Sequence, residues 1–427
     1  MRIRITLTAL ILISALAAAA ERKRPTVRPP SPVPTFSADV AHVFARHCHG
    51  CHRPEGAGPF SLIDYETAYA YRYMIRHMTE TRQMPPWRAS LECGDWKDPA
   101  VLSPGEIALI GRWVDSGAPE GNPALAPPSS EWDGGWQLGT PDSILQHDDS
   151  FEVDSSEDSW RCFVYEVDDE LSRYLAGIEI LNEARREVHH MIAYLDTSGV
   201  AARLDMLDPA EGYDYMEHGL GFVPSGVVGL YTPGERPFLL PEGIAIEIPP
   251  GAHIVLQVHY HPHHGEDSRD RPRIGLHHAK GTVRQLLGFM AIFNGDLFVP
   301  ANEKDVLVEA RQWVDEPISI RTMGGHMHFL GQGISVRALR PDGTEECLLR
   351  IDDWDQRWQG MYHYRQPVPV PAGSELLVQG WYDNTSDNPE NPHDPPRDVY
   401  WGEAAVDEML QGYLTFTRDL EYLEIDP

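Results

Sequence analysis

The chain has 427 residues, with 35 Lys and Arg against 65 Asp and Glu and a formal net charge of −30 at pH 7. A surface this acidic repels nucleic acid and anionic lipid headgroups, which excludes nucleic-acid binding. Hydrophobic residues make up 42% of the chain, with 11 Trp, 17 Tyr and 12 Phe, so whole-chain disorder is excluded as well. At ~150 residues per domain the length predicts about three domains.

The basic start Met1-Arg2-Ile3-Arg4, the apolar run Leu7 to Ala20 and the small residues Ala18-Ala19-Ala20 predict a cleaved signal peptide over 1–20. The competing reading is a membrane anchor, but the run is shorter than the ~20 residues that a spanning helix needs. A periplasmic or secreted chain without stable membrane insertion is expected. Pro25, Pro29, Pro30, Pro32 and Pro34 make 21–35 a stiff, extended linker.

From 36 to 121 the pattern is helical, over Ala38 to His47, Asp64 to Arg82 and Ile107 to Ser116. The third helix has the clearest ends, with Ser103 as N-cap, Pro104 at the first helical position, Glu106 at the third and Gly117 as the stop. A second Pro-rich linker covers 122–130. Beyond it, short alternating runs lie between Pro, Gly, Asn and Asp clusters. They are Phe163 to Val167, Ile244 to Ile248, His253 to His261, Ile334 to Leu339, Leu376 to Trp381 and Gln411 to Thr417. That much strand exceeds one β-sandwich, and a division near Val283 to Leu287 gives domains at 131–284 and 285–427. The predicted fold class is multidomain, a small all-α domain followed by two all-β sandwich domains.

Cys48-His49-Gly50-Cys51-His52 is a C-x-x-C-H run, the attachment signature of a c-type haem. Two thiols three positions apart can each bond a haem vinyl carbon, with His52 then held at the iron. A redox or zinc C-x-x-C is the competing reading, but the trailing His, the export signal and the helical context favour haem and a cytochrome c-like domain over 36–121. Met84, before Pro85 and Pro86, is the favoured sixth ligand. Met74, Met78, another residue or an open position remain alternatives. Cys93, Cys162 and Cys347 are left over, so at most one disulfide forms among them.

Twenty histidines are unevenly placed. His189 and His190 lie in an apolar strand-like run, where neighbours face opposite ways, so they share one metal only if the strand is bulged or ends there. Otherwise one is buried and the other exposed. His259 and His261 sit on the polar face of a strand whose other face is Ile254, Leu256 and Val258. His326 and His328 follow Gly324-Gly325, and their i, i+2 spacing puts both imidazoles on one side of a strand as a bidentate clamp. His263, His264, His277 and His278 read as surface-loop residues. In the last strand Leu410, Leu414 and Phe416 form a core face, leaving Met409, Gln411, Tyr413 and Thr415 opposite. A Met there is gap-filling when alone, but a thioether beside two imidazoles is a soft donor set that suits copper.

Val188-His189-His190-Met191, Gln257-Val258-His259-Tyr260, His326-Met327-His328-Phe329-Leu330-Gly331 and Asp407-Glu408-Met409 occur in an order and spacing that resembles the type II copper monooxygenases. That class contains peptidylglycine α-hydroxylating and dopamine β-monooxygenases, and the resemblance covers roughly 131 to 420. It implies two jelly-roll-like sandwiches, each holding one copper at a shared cleft. Carried over by position, it implies that His189, His190 and His259 bind an electron-transfer copper. His326, His328 and Met409 bind the copper at which oxygen is activated, with Tyr413 kept beside them. The implied activity is hydroxylation of a C–H bond of a small organic substrate with dioxygen, using two electrons supplied singly by ascorbate or a similar reductant.

Here the fused haem is expected to relay electrons from a periplasmic donor to the first copper, giving one haem c and two copper ions per chain. The family pattern is not complete. Gly324 stands where the peptidylglycine enzyme has the arginine that holds its substrate carboxylate, with Arg321 nearby, and Gln411 replaces a family Asn. The alternative reading is a non-catalytic haem and copper protein for electron transfer or copper holding.

Overall fold

The computed structural model describes residues 33–427 apart from 55, 57, 129–134, 155–158, 168–170, 185–186, 216–218, 233–236 and 262–267. The expected signal peptide at 1–20, the linker up to residue 32, and His263 and His264 lie outside the described residues.

Alternating strands bury one face each, and the chain stacks them as two pairs of sheets. In the first pair, one sheet has the order Ser143–Gln146, Arg273–His278, Arg173–Leu181, Ile244–Ile248 and Gln285–Leu286. It shares a core with the sheet Ser159–Glu166, His253–Tyr260, Val188–Asp196 and Gly226–Tyr231, through Leu175, Ile180 and Ile274 from one side and Phe163, Met191 and Leu256 from the other. Within strand Ser159–Glu166, Cys162-Phe163-Val164-Tyr165 is a continuous apolar run because both faces are covered there. Phe163 and Tyr165 enter that core, while Cys162 and Val164 pack with Ala201 and Tyr213 on the far side.

The second pair joins the sheet Gly288–Phe293, Gln411–Arg418, Ile318–His326 and Tyr362–Val370 to the sheet Val306–Val314, Ser374–Tyr382, Gly331–Leu339 and Glu345–Ile351. Ile320, Met323, Leu414 and Phe416 meet Val308, Ile334, Val336 and Val378 in its core. The chain crosses between the pairs just after Leu286, which still adds to the first pair by pairing parallel to Ala245.

The expected fold class, a small all-α domain followed by two all-β sandwich domains, is overturned: the structure is mostly β-sheet and has no clear all-α domain. Residues 34–427 form one compact unit, and helix accounts for 13% of the structure. The helices are short: Ala41–His47, Tyr65–Ala70, Arg72–Glu80 and Pro104–Asp115. They enclose only a small core around Phe36, Phe44, Ile110 and Trp113. The capping box of Ser103 and Glu106 is present, but the helix expected over Asp64 to Arg82 breaks at Tyr71 (φ −93°, ψ 7°).

Residues 81–103 then leave the helices altogether. Ala89 and Trp96 are buried in the core of the second sandwich, Trp96 stacking on Tyr364 at 4.7 Å and Trp87 meeting Tyr362 edge-on at 5.0 Å. Arg88 bonds Asp353 at 2.5 Å and Asp355 at 2.9 Å, and Cys93 is disulfide-bonded to Cys347. Two indoles are more apolar surface than so small a helical core can cover, and the sandwich supplies the missing contact. Cys162 stays a buried thiol, its pKa pushed up to about 12 by burial.

Candidate metal centre

Strand Val188–Asp196 pairs antiparallel with His253–Tyr260, but the register steps from Val188 opposite Tyr260 to His190 opposite His259. His189 is therefore the extra residue of a β-bulge, the condition under which two adjacent histidines can face one point. The ligand-capable atoms of His189, His190 and His259 all lie within 4.8 Å of one another. The ring centroids are 5.0 to 5.2 Å apart, and the His189 and His190 Nδ1 atoms are 3.1 Å apart, so only one of those two can carry a hydrogen. His261 is exposed, with its ring 6.1 Å from that of His189 and outside the compact set. Trp160, directly across the ladder from His259, stacks on its ring at 3.9 Å and fixes the ring plane. Burial first, then the charge on the other imidazoles, pushes His190 well below the ordinary histidine range. A neutral imidazole is the form that binds a metal.

His326 is the last residue of strand Ile318–His326, whereas His328 lies just beyond it. The pair is thus held by more than strand alternation. The ring centroids are 5.0 Å apart with the planes at 89°. His326 Nδ1 donates to Gln359 Oε1 at 2.5 Å, and the Gln359 amide is oriented by its own donation to the Gln356 carbonyl. His328 Nδ1 donates to the Asp407 carbonyl at 3.1 Å. Both acceptors are oxygens without hydrogens, so each ring keeps its proton on Nδ1 and presents a bare Nε2. Burial lowers both, His328 to about 3.

Met409 is buried (3% exposed), and Gln411 Nε2 donates to its sulfur at 3.4 Å. Tyr413 lays its ring over Gly324 and donates its hydroxyl to the Gly325 carbonyl at 3.1 Å. The space of a residue-324 side chain is therefore taken by an aromatic ring.

Cys48 caps helix Ala41–His47, and the following turn carries Cys51 and His52. His52 Nδ1 donates to the Phe60 carbonyl at 3.0 Å, which leaves its Nε2 as the ligand atom. Gly58 is required there, since a Cβ would sit 2.8 Å from His52 Nδ1. Met84 follows helix Arg72–Glu80, with its N–H on the Met78 carbonyl.

The two histidine groups line one cleft of about 670 Å³, which Met409 and Tyr413 also line. Cys51, Arg53, Pro85 and Pro86 reach its wall, while Cys48, His52 and Met84 lie off it. A charge placed on His326 or His328 would lower His190 further, so the two groups lie within electrostatic reach of each other. The donor chemistry fits the expected groups: three converging imidazoles, an imidazole pair with a thioether, and two thiols with a tautomer-fixed histidine. Trp160 and Gln359 were not singled out from sequence, and Glu408 was named there only as part of a motif, without a role. Only Glu408, adjacent to Met409, carries a positional signal there.

No family model matches the chain, and no curated protein matches it. Among solved structures it is similar to PNGF-II in a P21 crystal form, at 9% identity and TM-score 0.28 over 64% of this chain and 65% of that one. The chain thus spans less than two-thirds of that protein. It is also similar to the major capsid protein P2 from bacteriophage PM2, at 8% identity and TM-score 0.26 over 65% and 97% of the two chains. Likeness at this level does not bear on function.

Proposed function

We propose that the chain is an exported copper-dependent monooxygenase of the type II copper class, hydroxylating a C–H bond of a small organic substrate with dioxygen and drawing electrons through its own c-type haem. The observation that supports this reading is the shared cleft, which is lined both by the compact set of three imidazoles and by two further imidazoles and a thioether. Copper ions held by His189, His190 and His259, and by His326, His328 and Met409, would supply one-electron transfer and dioxygen activation, and a haem on Cys48, Cys51 and His52 would supply the electrons singly.

The protein's own residues set the conditions. Burial keeps the imidazoles neutral and ready to coordinate. Gln359 and the Asp407 carbonyl fix which nitrogen of His326 and His328 is presented. Trp160 locks His259 in plane. Phe238, Phe289, Met361 and Tyr413 give the cleft apolar walls that admit an uncharged organic group and limit water. With Tyr413 filling the space beside Gly324, a substrate carboxylate has no cationic holder at that position. An electron donor, periplasmic or ascorbate-like, completes the requirements.

Oxygen uptake by copper-loaded protein with a chemical reductant, run beside Met409→Ala, tests the reading. Uptake that depends on Met409 and yields a product heavier by one oxygen is expected. Copper binding with no uptake, or with uptake indifferent to Met409, would return the chain to a carrier role.

A further inference from the structure

We propose that Glu408 is the positioning residue that sets the Met409 thioether against the His326 and His328 imidazoles, a role that rests on the copper reading above. Strand Ile318–His326 ends before His328, and strand Gln411–Arg418 begins after Met409. The two segments that carry these side chains therefore meet where neither strand reaches. The Glu408 carboxylate takes over there. Its Oε2 accepts from the N–H of His328 at 2.9 Å and of Met409 at 3.0 Å, and its Oε1 accepts from the N–H of Leu330 at 2.7 Å. The Gly331 N–H also faces it, and the side chain is 0% exposed.

One oxygen, Oε2, is shared by the backbone of the histidine turn and the backbone of the methionine, so a single atom couples the two donors. Tyr382 completes the arrangement by donating its hydroxyl to the Met409 carbonyl at 2.7 Å, and His328 Nδ1 returns to the Asp407 carbonyl at 3.1 Å. A buried carboxyl group that receives several N–H groups is costly to leave incomplete, which makes the turn rigid. Glutamine has the same shape but offers one acceptor oxygen and turns an NH2 toward a backbone donor. Aspartate keeps both oxygens but is one methylene short.

The test compares wild type, Glu408→Gln and Met409→Ala, with Glu408→Asp as the second variant should the amide variant not fold. In metal-free protein, amide hydrogen exchange at His328, Leu330 and Met409 is expected to be at least about tenfold faster in Glu408→Gln, and unchanged in strand His253–Tyr260. On titration with copper, the first equivalent is retained, the second binds about 10- to 100-fold more weakly, and sulfur scattering in Cu(I) X-ray absorption is lost as it is in Met409→Ala. Unchanged exchange in the copper-free variant overturns the clamp. Wild-type affinity with full sulfur scattering overturns its effect on the metal. A wild-type chain that takes up no second copper refutes the copper reading itself and this role with it, while the metal-free exchange result still reports on the clamp separately.

Discussion

Gly324→Ala is the substitution whose cost follows most directly from the geometry. A Cβ at that position would lie 2.8 Å from Tyr413 Cζ and 2.9 Å from Cδ2, closer than any relaxed contact, so the ring must leave its seat. Overpacking of this kind costs about 1–3 kcal/mol. Moving the ring also breaks the hydroxyl's bond to the Gly325 carbonyl, worth about 1 kcal/mol. Restricting the unfolded chain returns roughly 0.4–1 kcal/mol. The net expectation is a loss of about 2 kcal/mol in equilibrium denaturant unfolding followed by far-UV circular dichroism and fluorescence. The same substitution in a Tyr413→Ala background should cost under ~0.5 kcal/mol, so the double-mutant cycle isolates a coupling of about 2 kcal/mol. A Gly324→Ala variant as stable as wild type, or one that loses equally in both backgrounds, would refute the claim that Tyr413 occupies the space beside Gly324.

Burial and the nearby Lys97 charge push the His363 imidazole down to about 4 against 6.5. The unfolded chain then takes up a proton below 6.5 that the folded chain refuses until about 4, so stability falls as the pH drops through that window. His363→Phe should reduce the pH 7 to pH 4 loss by up to about 3 kcal/mol in acid-dependent denaturation curves. Replacing Cys93 and Cys347 by Ser opens a loop of 254 residues in sequence and should cost about 2–5 kcal/mol, with Trp87 and Trp96 emission shifting to the red as the strap loosens. Ser103→Ala removes the side-chain acceptor for the Glu106 N–H and should lower stability by about 1 kcal/mol, read as faster amide exchange in the first turn of helix Pro104–Asp115.

Sequence reading reaches the side chains more easily than the devices that aim them. The spacing of His189 and His190 states the problem of two neighbours on opposite faces, but the bulge that answers it depends on pairing with His259, about seventy residues away. His326 and His328 are visible as a pair, yet the pair is completed by Gln359 and Glu408, whose partners are set by tertiary contact. The all-α domain was misread for a similar reason. Trp87, Cys93 and Trp96 look local, while their partners Tyr362, Cys347 and Tyr364 lie some 250 or more residues further on. Helix ends with local chemistry, such as Ser103 with Glu106, are legible because cap and partner are three residues apart. The break at Tyr71 carries no Pro or Gly to announce it.

Copper content per chain, measured after loading, desalting and chelator challenge, tests most directly whether the two histidine groups are separate metal sites on one cleft. Two equivalents are expected for wild type, one for His190→Ala, one for His328→Ala and none for the double variant. A single equivalent in wild type, or full retention in either single variant, would contradict the assignment.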